Sequence, residues 1–140
     1  MNEIGHGRGH LMALVHAAGA VQRQAEAQLA VVGLSLPKLA ALEAIWNAGA
    51  SVPLSQLAES LSCVKSNVTQ LVDRLEADGF VTRAADPNDR RSRLAVLTPA
   101  GREACEKGRA ILQDTERGLV ARLGAEDART LVSLLARLSP

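Results

Sequence analysis

Three arginines lie close together on a short polar segment between two apolar runs. The segment covers residues 86–93 and reads DPNDRRSR. Asp-Pro-Asn-Asp is a strong turn signal, because Pro fixes φ and the Asp and Asn side chains bond to nearby backbone N–H groups. Phe80–Thr82 before the turn and Leu94–Leu97 after it predict two short strands. A two-stranded ribbon with a cationic tip fits a groove of DNA.

A helix with one polar side is predicted directly before this ribbon, over residues 65–78, with Gly79 closing it. Four apolar residues fall within an arc of about 100° and predict the side that packs on the core. They are Val68, Leu71, Val72 and Leu75. A helix followed by a basic hairpin is the layout of a winged helix-turn-helix, so the sequence predicts a DNA-binding regulator.

The polar side of this helix carries the candidate contacts to the major groove. Readers in a helix-turn-helix cluster toward the N-terminal part of the recognition helix. Ser66, Asn67 and Gln70 are therefore the candidate base contacts, and Lys65, Thr69 and Arg74 are the candidate phosphate contacts. The alternative for each residue is an ordinary solvated polar face. We predict that Asp73 pairs with an arginine and does not contact DNA.

Composition limits the class of protein. The chain has 140 residues, of which 47% are hydrophobic, and its aromatic residues are Trp46 and Phe80 alone. A core of Leu, Val and Ala suits closely packed helices. The formal net charge is only +1, but the span from Arg83 to Arg102 is rich in arginine. The positive field is therefore predicted to be local, at the hairpin.

The remaining segments predict helices on both sides of the winged unit. We expect a flexible arm over residues 1–9, dimerisation helices over 10–34 and 99–140, and a winged helix-turn-helix DNA-binding domain over 35–98. Helices at the two chain ends have leucine-rich faces that a small winged unit does not cover, so an obligate two-fold homodimer is predicted. The predicted fold class is mainly α with a small β-hairpin wing. Gly108 and Gly118 in the long helix after Pro99 predict a bend or close packing.

Other chemistry finds little support in the residue pattern. No nucleophile–base pair, metal-ligand spacing or cofactor fingerprint occurs, so we predict no enzyme activity, no metal and no cofactor. His6 and His10 are too few for a metal site. No run approaches the ~18 apolar residues of a membrane span, and no signal peptide is evident, so a cytoplasmic protein is expected. Cys63 and Cys105 do not form a secreted disulfide framework.

The chain resembles the MarR family of bacterial transcriptional regulators. The matching stretches are Leu57–Glu59, Val68–Glu76, Gly79–Val81, Arg83, and Asp86–Arg91 through Leu97–Gly101. The resemblance implies a triangular homodimer on a pseudo-palindromic double-stranded operator. It implies a repressor of a nearby gene that a small aromatic or phenolic effector, or thiol oxidation, releases from DNA.

The resemblance also implies roles at the hairpin. Arg91 would enter the minor groove, Asp89 would steady the turn or Arg91 itself, and Arg90 and Arg93 would meet phosphates. The alternative is a solvated, charged hairpin, which is disfavoured because arginines on one turn repel each other. Departures from the family pattern occur at Val64, Lys65 and Gln70. Gln70 replaces a common Arg, which favours adenine over guanine.

Two alternative functions stay open on the sequence alone. One is a thiol-based redox regulator that uses Cys63 or Cys105, although a buried apolar role is favoured for both. The other is a winged-helix module that binds protein and not DNA. Trp46 either lines an effector cleft or belongs to the core.

Overall fold

Side-chain caps mark the starts of two helices in the described residues. The computed structural model describes residues 8–62 and 65–140, with the backbone alone for 65 and 66. The helices are α1 (Gly9–Ala30), α2 (Leu36–Asn47), α3 (Leu54–Ser60), α4 (Lys65–Ala77), α5 (Pro99–Leu123) and α6 (Ala125–Ala136). Ser35 caps α2 by accepting a hydrogen bond from the Lys38 N–H at 3.3 Å. Thr98 caps α5 in the same way from Gly101 N–H at 3.0 Å, and Pro99 fits the first turn because its missing N–H has no partner there anyway.

The strands form one small antiparallel sheet in the order β1-β3-β2. They are β1 (Ser51–Pro53), β2 (Val81–Asp86) and β3 (Asp89–Leu97). The predicted strands at 80–82 and 94–97 were too short, because backbone pairing continues past the apolar residues almost to the turn. The remaining strand, β1, is short, and its Val52 lies opposite Ala95 of β3. Phe80 lies in the turn between α4 and β2, and its N–H donates to the Leu75 carbonyl oxygen.

The core lies where α2, α3 and α4 meet the base of the sheet. Its fully buried large side chains include Leu29, Leu39, Leu42, Ile45, Leu57, Val68, Val72 and Leu75. The predicted packed side of α4 is confirmed, since Val68, Val72 and Leu75 are buried while Leu71 is half-buried. Replacing such a leucine by alanine costs about 2–5 kcal/mol.

Helix α5 approaches the core closely through two glycines. A Cβ atom on Gly108 would lie 2.8 Å from a Leu39 methyl carbon, so the predicted close packing at this position is confirmed. Gly118 lies in open space instead. A Cβ atom on Gly101 would collide with the backbone carbonyl oxygen of Phe80. The first turns of α5 therefore pack tightly against the winged unit before the helix extends away.

The two chain ends contribute little to this core. Helix α6 has no buried residue, and the first ten residues of α1 are exposed. Large exposed apolar side chains lie along both helices and just after the end of α6: Leu11, Met12, Leu14, Val15, Leu131, Val132, Leu134, Leu135 and Leu138. None of the helices in the described ranges is long and apolar enough to cross a membrane. The predicted arm over 1–9 falls mostly outside the described residues, and Gly9 already belongs to α1.

Candidate nucleic-acid interface

The tip of the hairpin is held by its own carboxylates. Asp86 accepts a hydrogen bond from the Asn88 N–H at 2.9 Å, and Asp89 accepts one from the Arg91 N–H at 2.9 Å. These bonds are typical of Asx turns, in which a side chain fixes the backbone two residues on. The Asp89 carboxylate therefore fixes the backbone of Arg91.

The pairing of the two strands becomes irregular at the tip. Ala85 lies opposite Arg93, whereas Asp86 lies opposite Asp89, so the register shifts between Ala85 and Asp86. Residues 90–92 fall within this shift. Bulges of this kind bend the strand and re-aim side chains.

The three wing arginines project from this irregular tip into solvent. Arg90, Arg91 and Arg93 are all exposed. Among the residues that the structure describes, none of the three forms an ion pair. Their guanidinium groups are therefore available to an external anion, and Arg is well suited to phosphate.

Helix α4 presents a polar face beside the wing. Asn67, Thr69, Gln70 and Arg74 are exposed. The predicted contacts of Lys65 and Ser66 concern side chains outside the described set, although both residues lie in the first turn of α4. The helix thus carries exposed hydrogen-bonding groups opposite its buried apolar side.

Arg83 on β2 joins the wing to this helix. Its Nη2 atom lies 2.6 Å from Asp73 Oδ1, and its Nη1 atom lies 3.0 Å from Glu76 Oε1. Nη2 also donates to the Thr69 carbonyl oxygen at 3.3 Å. The prediction that Asp73 pairs with an arginine is confirmed. The bridge places a cation between two carboxylates on the exposed face of α4.

Sequence reasoning missed the role of Arg83 and the contribution of Glu76. A signal was present: Thr69, Asp73 and Glu76 follow each other at four and three residues, so they share one face of the helix. Only the fold shows that β2 brings a cation onto that face.

A second ion pair, Lys38 Nζ to Asp78 Oδ2 at 2.8 Å, ties the end of α4 to α2.

The two cysteines differ in what the structure describes. Cys63 lies outside the described residues, so the redox hypothesis at that position has no structural account. Cys105 is fully buried, and burial raises the pKa of its thiol although the nearby Arg109 opposes the rise. A buried thiol with a raised pKa is a poor nucleophile, which argues against Cys105 as a redox sensor.

A helical core, a three-stranded sheet and an exposed basic hairpin beside a polar helix define a winged helix-turn-helix protein. Comparison with known proteins agrees. The profile of the MarR family matches residues 34–92, and the chain belongs to this family. The family consists of transcriptional regulators and not enzymes, in agreement with the prediction.

Two relatives and one solved structure illustrate the likeness. An uncharacterised HTH-type transcriptional regulator of Bacillus subtilis, YkoM, is 39% identical over 75 residues, which is 54% of this chain and 48% of YkoM. The multiple antibiotic resistance protein MarR of Escherichia coli is 35% identical over 86 residues, 61% of this chain and 60% of MarR. The chain thus spans about half to three fifths of these relatives. The crystal structure of a mutant E. coli MarR complexed with operator DNA matches all of both chains, with a TM-score of 0.80 and 26% identity.

Proposed function

We propose that this protein is a homodimeric, sequence-specific DNA-binding regulator in the cytoplasm, which represses a nearby gene. The observation that carries the proposal is the pairing of an exposed polar helix face with an arginine-tipped wing that Arg83 fixes beside it. The fold is that of a MarR protein complexed with operator DNA. Family membership supports regulation of transcription.

In this proposal, α4 enters the major groove and the wing reaches the adjacent minor groove. Asn67 and Gln70, with Ser66, contact base edges, while Thr69, Arg74 and Lys65 meet phosphates. Arg91 inserts at the wing tip with Asp89 holding its backbone, and Arg90 and Arg93 contact phosphates. The exposure of the described members of this set supports the assignment.

We propose that the exposed apolar faces of α1 and α6 pair with a second copy of the chain. In the single chain, Leu131 is 43% exposed, Leu134 50% and Leu138 67%. Water contact along such a face is unfavourable, and a two-fold interface would remove it. The division into dimerisation helices at 10–34 and 99–140 and a DNA-binding domain at 35–98 follows from this pairing.

Release from DNA would follow from a change in the dimer. Two recognition helices must enter successive major grooves about 34 Å apart. A small aromatic or phenolic effector that prefers a dimer with another spacing would weaken DNA binding by its differential affinity for the two states. The buried state of Cys105 gives the thiol-based alternative no support at that residue.

Fluorescence anisotropy tests the central claim. The purified protein is titrated on its own upstream intergenic DNA and on a scrambled duplex of equal length, in rising salt. We expect tighter binding to the native duplex and a linear fall of log affinity with log salt. Binding that is equal on both duplexes, or that is absent, would contradict sequence-specific regulation there. That result would favour the alternative of a winged-helix module that binds protein and not DNA.

A further inference from the structure

The one tryptophan of the chain is in contact with two arginines of another helix. The guanidinium carbon of Arg102 is 4.6 Å from the centroid of the Trp46 ring, and that of Arg109 is 4.8 Å away. Both distances are within the range of a cation–π contact. Trp46 lies in the last turn of α2 in the winged unit, whereas both arginines lie on α5. We call these three residues the Trp46 clamp.

The spacing of the two arginines suits an indole placed between them. Residues seven apart lie on the same face of an α-helix and are separated by about 10.5 Å along its axis. A ring in contact with both side chains opposes sliding of α5 along α2, because a slide in either direction lengthens the distance to one of the arginines. Rotation of α5 about its axis would weaken both contacts.

A third bond fixes the same junction. Glu43 lies one turn before Trp46 on α2, and its Oε2 atom is 3.8 Å from Arg109 Nε. Arg102 has no carboxylate partner in the described parts of the chain. Its guanidinium group rests instead on the ring of Trp46. Nearby, the packing of Gly108 on Leu39 brings the two helices close together.

Beyond this junction, α5 leads directly to the surface that we propose for dimerisation. Thr115 of α5 bonds to Gln28 of α1, and α6 follows after Gly124. The angle at which α5 leaves the winged unit therefore decides where the unit lies relative to its partner.

We propose that the Trp46 clamp is the positioning element that aligns each DNA-binding unit with the dimerisation helices, and thereby sets the separation of the two recognition helices. The inference rests on the proposed homodimer and its function. Trp46, Arg102 and Arg109 are positioning residues, since they act through α4 and the wing and not on DNA.

Distance measurement between the two wings tests the proposal in the full-length dimer. A spin label is attached at Asn88→Cys on the exposed wing turn, in a Cys63→Ser background, and the distance distribution between protomers is recorded by double electron–electron resonance. We expect one narrow distribution for the parent protein. The Trp46→Leu variant and the Arg102→Gln/Arg109→Gln double variant should broaden or shift it.

Two variants separate alignment from simple loss of charge or fold. Trp46→Phe keeps an aromatic ring beside the two arginines and should keep the narrow distribution. Lys107→Gln removes a cation from the same stretch of α5, where it pairs with exposed Glu103, and should leave the distribution unchanged. Arg102 is exposed and Arg109 is half-buried, so the double variant should fold even if Trp46→Leu does not. The proposal can then still be tested with the double variant.

DNA affinity gives a second readout. On the duplex that the parent protein prefers, the double variant should bind about tenfold more weakly, and Trp46→Phe should be affected much less. Distributions that superimpose on the parent in both Trp46→Leu and the double variant would overturn the proposal and leave the DNA-binding function standing. A protein with no inter-protomer distance overturns both the proposal and the homodimer. A parent dimer that binds no DNA sequence-specifically refutes the function alone.

Discussion

At the scale of single residues, the wing separates two roles among its charged groups. The aspartates at 86 and 89 bond to backbone within the turn, and the arginines point away from it. The carboxylates stabilise the turn, whereas the neighbouring arginines stay exposed to solvent. This separation explains how a chain of net charge +1 can still present a concentrated positive tip.

The Arg91→Ala variant tests the tip. We expect weaker binding to all DNA sequences, because a minor-groove or phosphate contact carries little base information. The slope of log affinity against log salt should fall by about 0.9 for each phosphate that the protein no longer neutralises. Anisotropy titrations at several salt concentrations measure both effects. Arg117→Ala, an exposed arginine on α5, is the control, and equal effects in the two variants would argue against a specific role for the wing.

Gln70 tests base reading by α4. The Gln70→Arg variant should shift preference at one base pair in each half-site from adenine toward guanine, with about 1–3 kcal/mol of discrimination. Competition among duplexes that differ at single positions measures the shift. An unchanged preference at every position would place Gln70 away from the bases.

At the scale of elements, the turn between α4 and β2 and the start of α5 form one joint. Phe80 N–H donates to the Leu75 carbonyl at 2.9 Å, and Gly79 has φ of +80°, as in a Schellman ending. Thr98 donates its hydroxyl to the Gly79 carbonyl at 2.7 Å. Gly101 packs so closely against the Phe80 carbonyl group that a side chain would collide with it. The stretch Leu97–Gly101, which in the sequence is only part of the family resemblance, therefore has a structural explanation. Thr98 and Gly101 both contact the backbone of the turn that follows α4.

Gly101→Ala should destabilise the fold by about 1–3 kcal/mol, because the added methyl group meets rigid backbone. The matched control is Gly118→Ala on the same helix. It lies in open space and should gain about 0.5–1 kcal/mol from reduced backbone entropy. Denaturant unfolding measures both changes. Equal effects of the two substitutions would contradict the close approach at Gly101.

The Arg83 bridge makes a different prediction. Arg83→Gln should change the free energy of unfolding by only about 0–1 kcal/mol, since its partners are partly exposed. DNA affinity should fall more, because the carboxylates of Asp73 and Glu76 lose their cation beside the proposed DNA surface. Thermal unfolding and anisotropy, measured on the same samples, separate the two effects. If the loss of thermal stability explained the entire loss of DNA affinity, the role of Arg83 would be structural only.

Local signals were enough to predict the helices and the buried side of α4, because caps and apolar spacing are set by neighbouring residues. The three-residue strand at Ser51–Pro53 could not be predicted, since its pairing partner lies more than forty residues away at residues 94–96. The Trp46 clamp was hidden for the same reason, whereas the Arg83 bridge spans only 7 to 14 residues and becomes evident once β2 folds back along α4. Each joins residues that are ordinary in their own segments and become partners only when the elements pack.

At the scale of the whole molecule, the chain consists of a compact winged unit and two end segments with apolar surface. The winged unit buries its leucines internally, whereas α6 buries none. This contrast supports the proposal that the end helices are stabilised by contact with a second copy of the chain. The sequence predicted the same contrast, because leucine-rich faces remained after the winged unit was complete.

Leu135→Asp tests the dimer surface. A charge on this face should weaken association, since an unpaired carboxylate is costly to bury. Size-exclusion chromatography with light scattering, at falling protein concentration, should show monomer where the parent is dimeric. Gln113→Asp, on an exposed polar site of α5, should leave the mass unchanged. A dimer that persists in Leu135→Asp would move the interface away from α6.

The two side-chain bonds in the wing turn have a thermodynamic consequence. A loop already folded in the free protein gives up little conformational freedom when it meets a ligand, so less of the contact energy is spent on ordering it. Association of this wing with DNA should therefore show only a small heat-capacity change from local folding. Calorimetry over a range of temperatures would reveal a wing that is ready-made for its target, in contrast to tails that fold on contact.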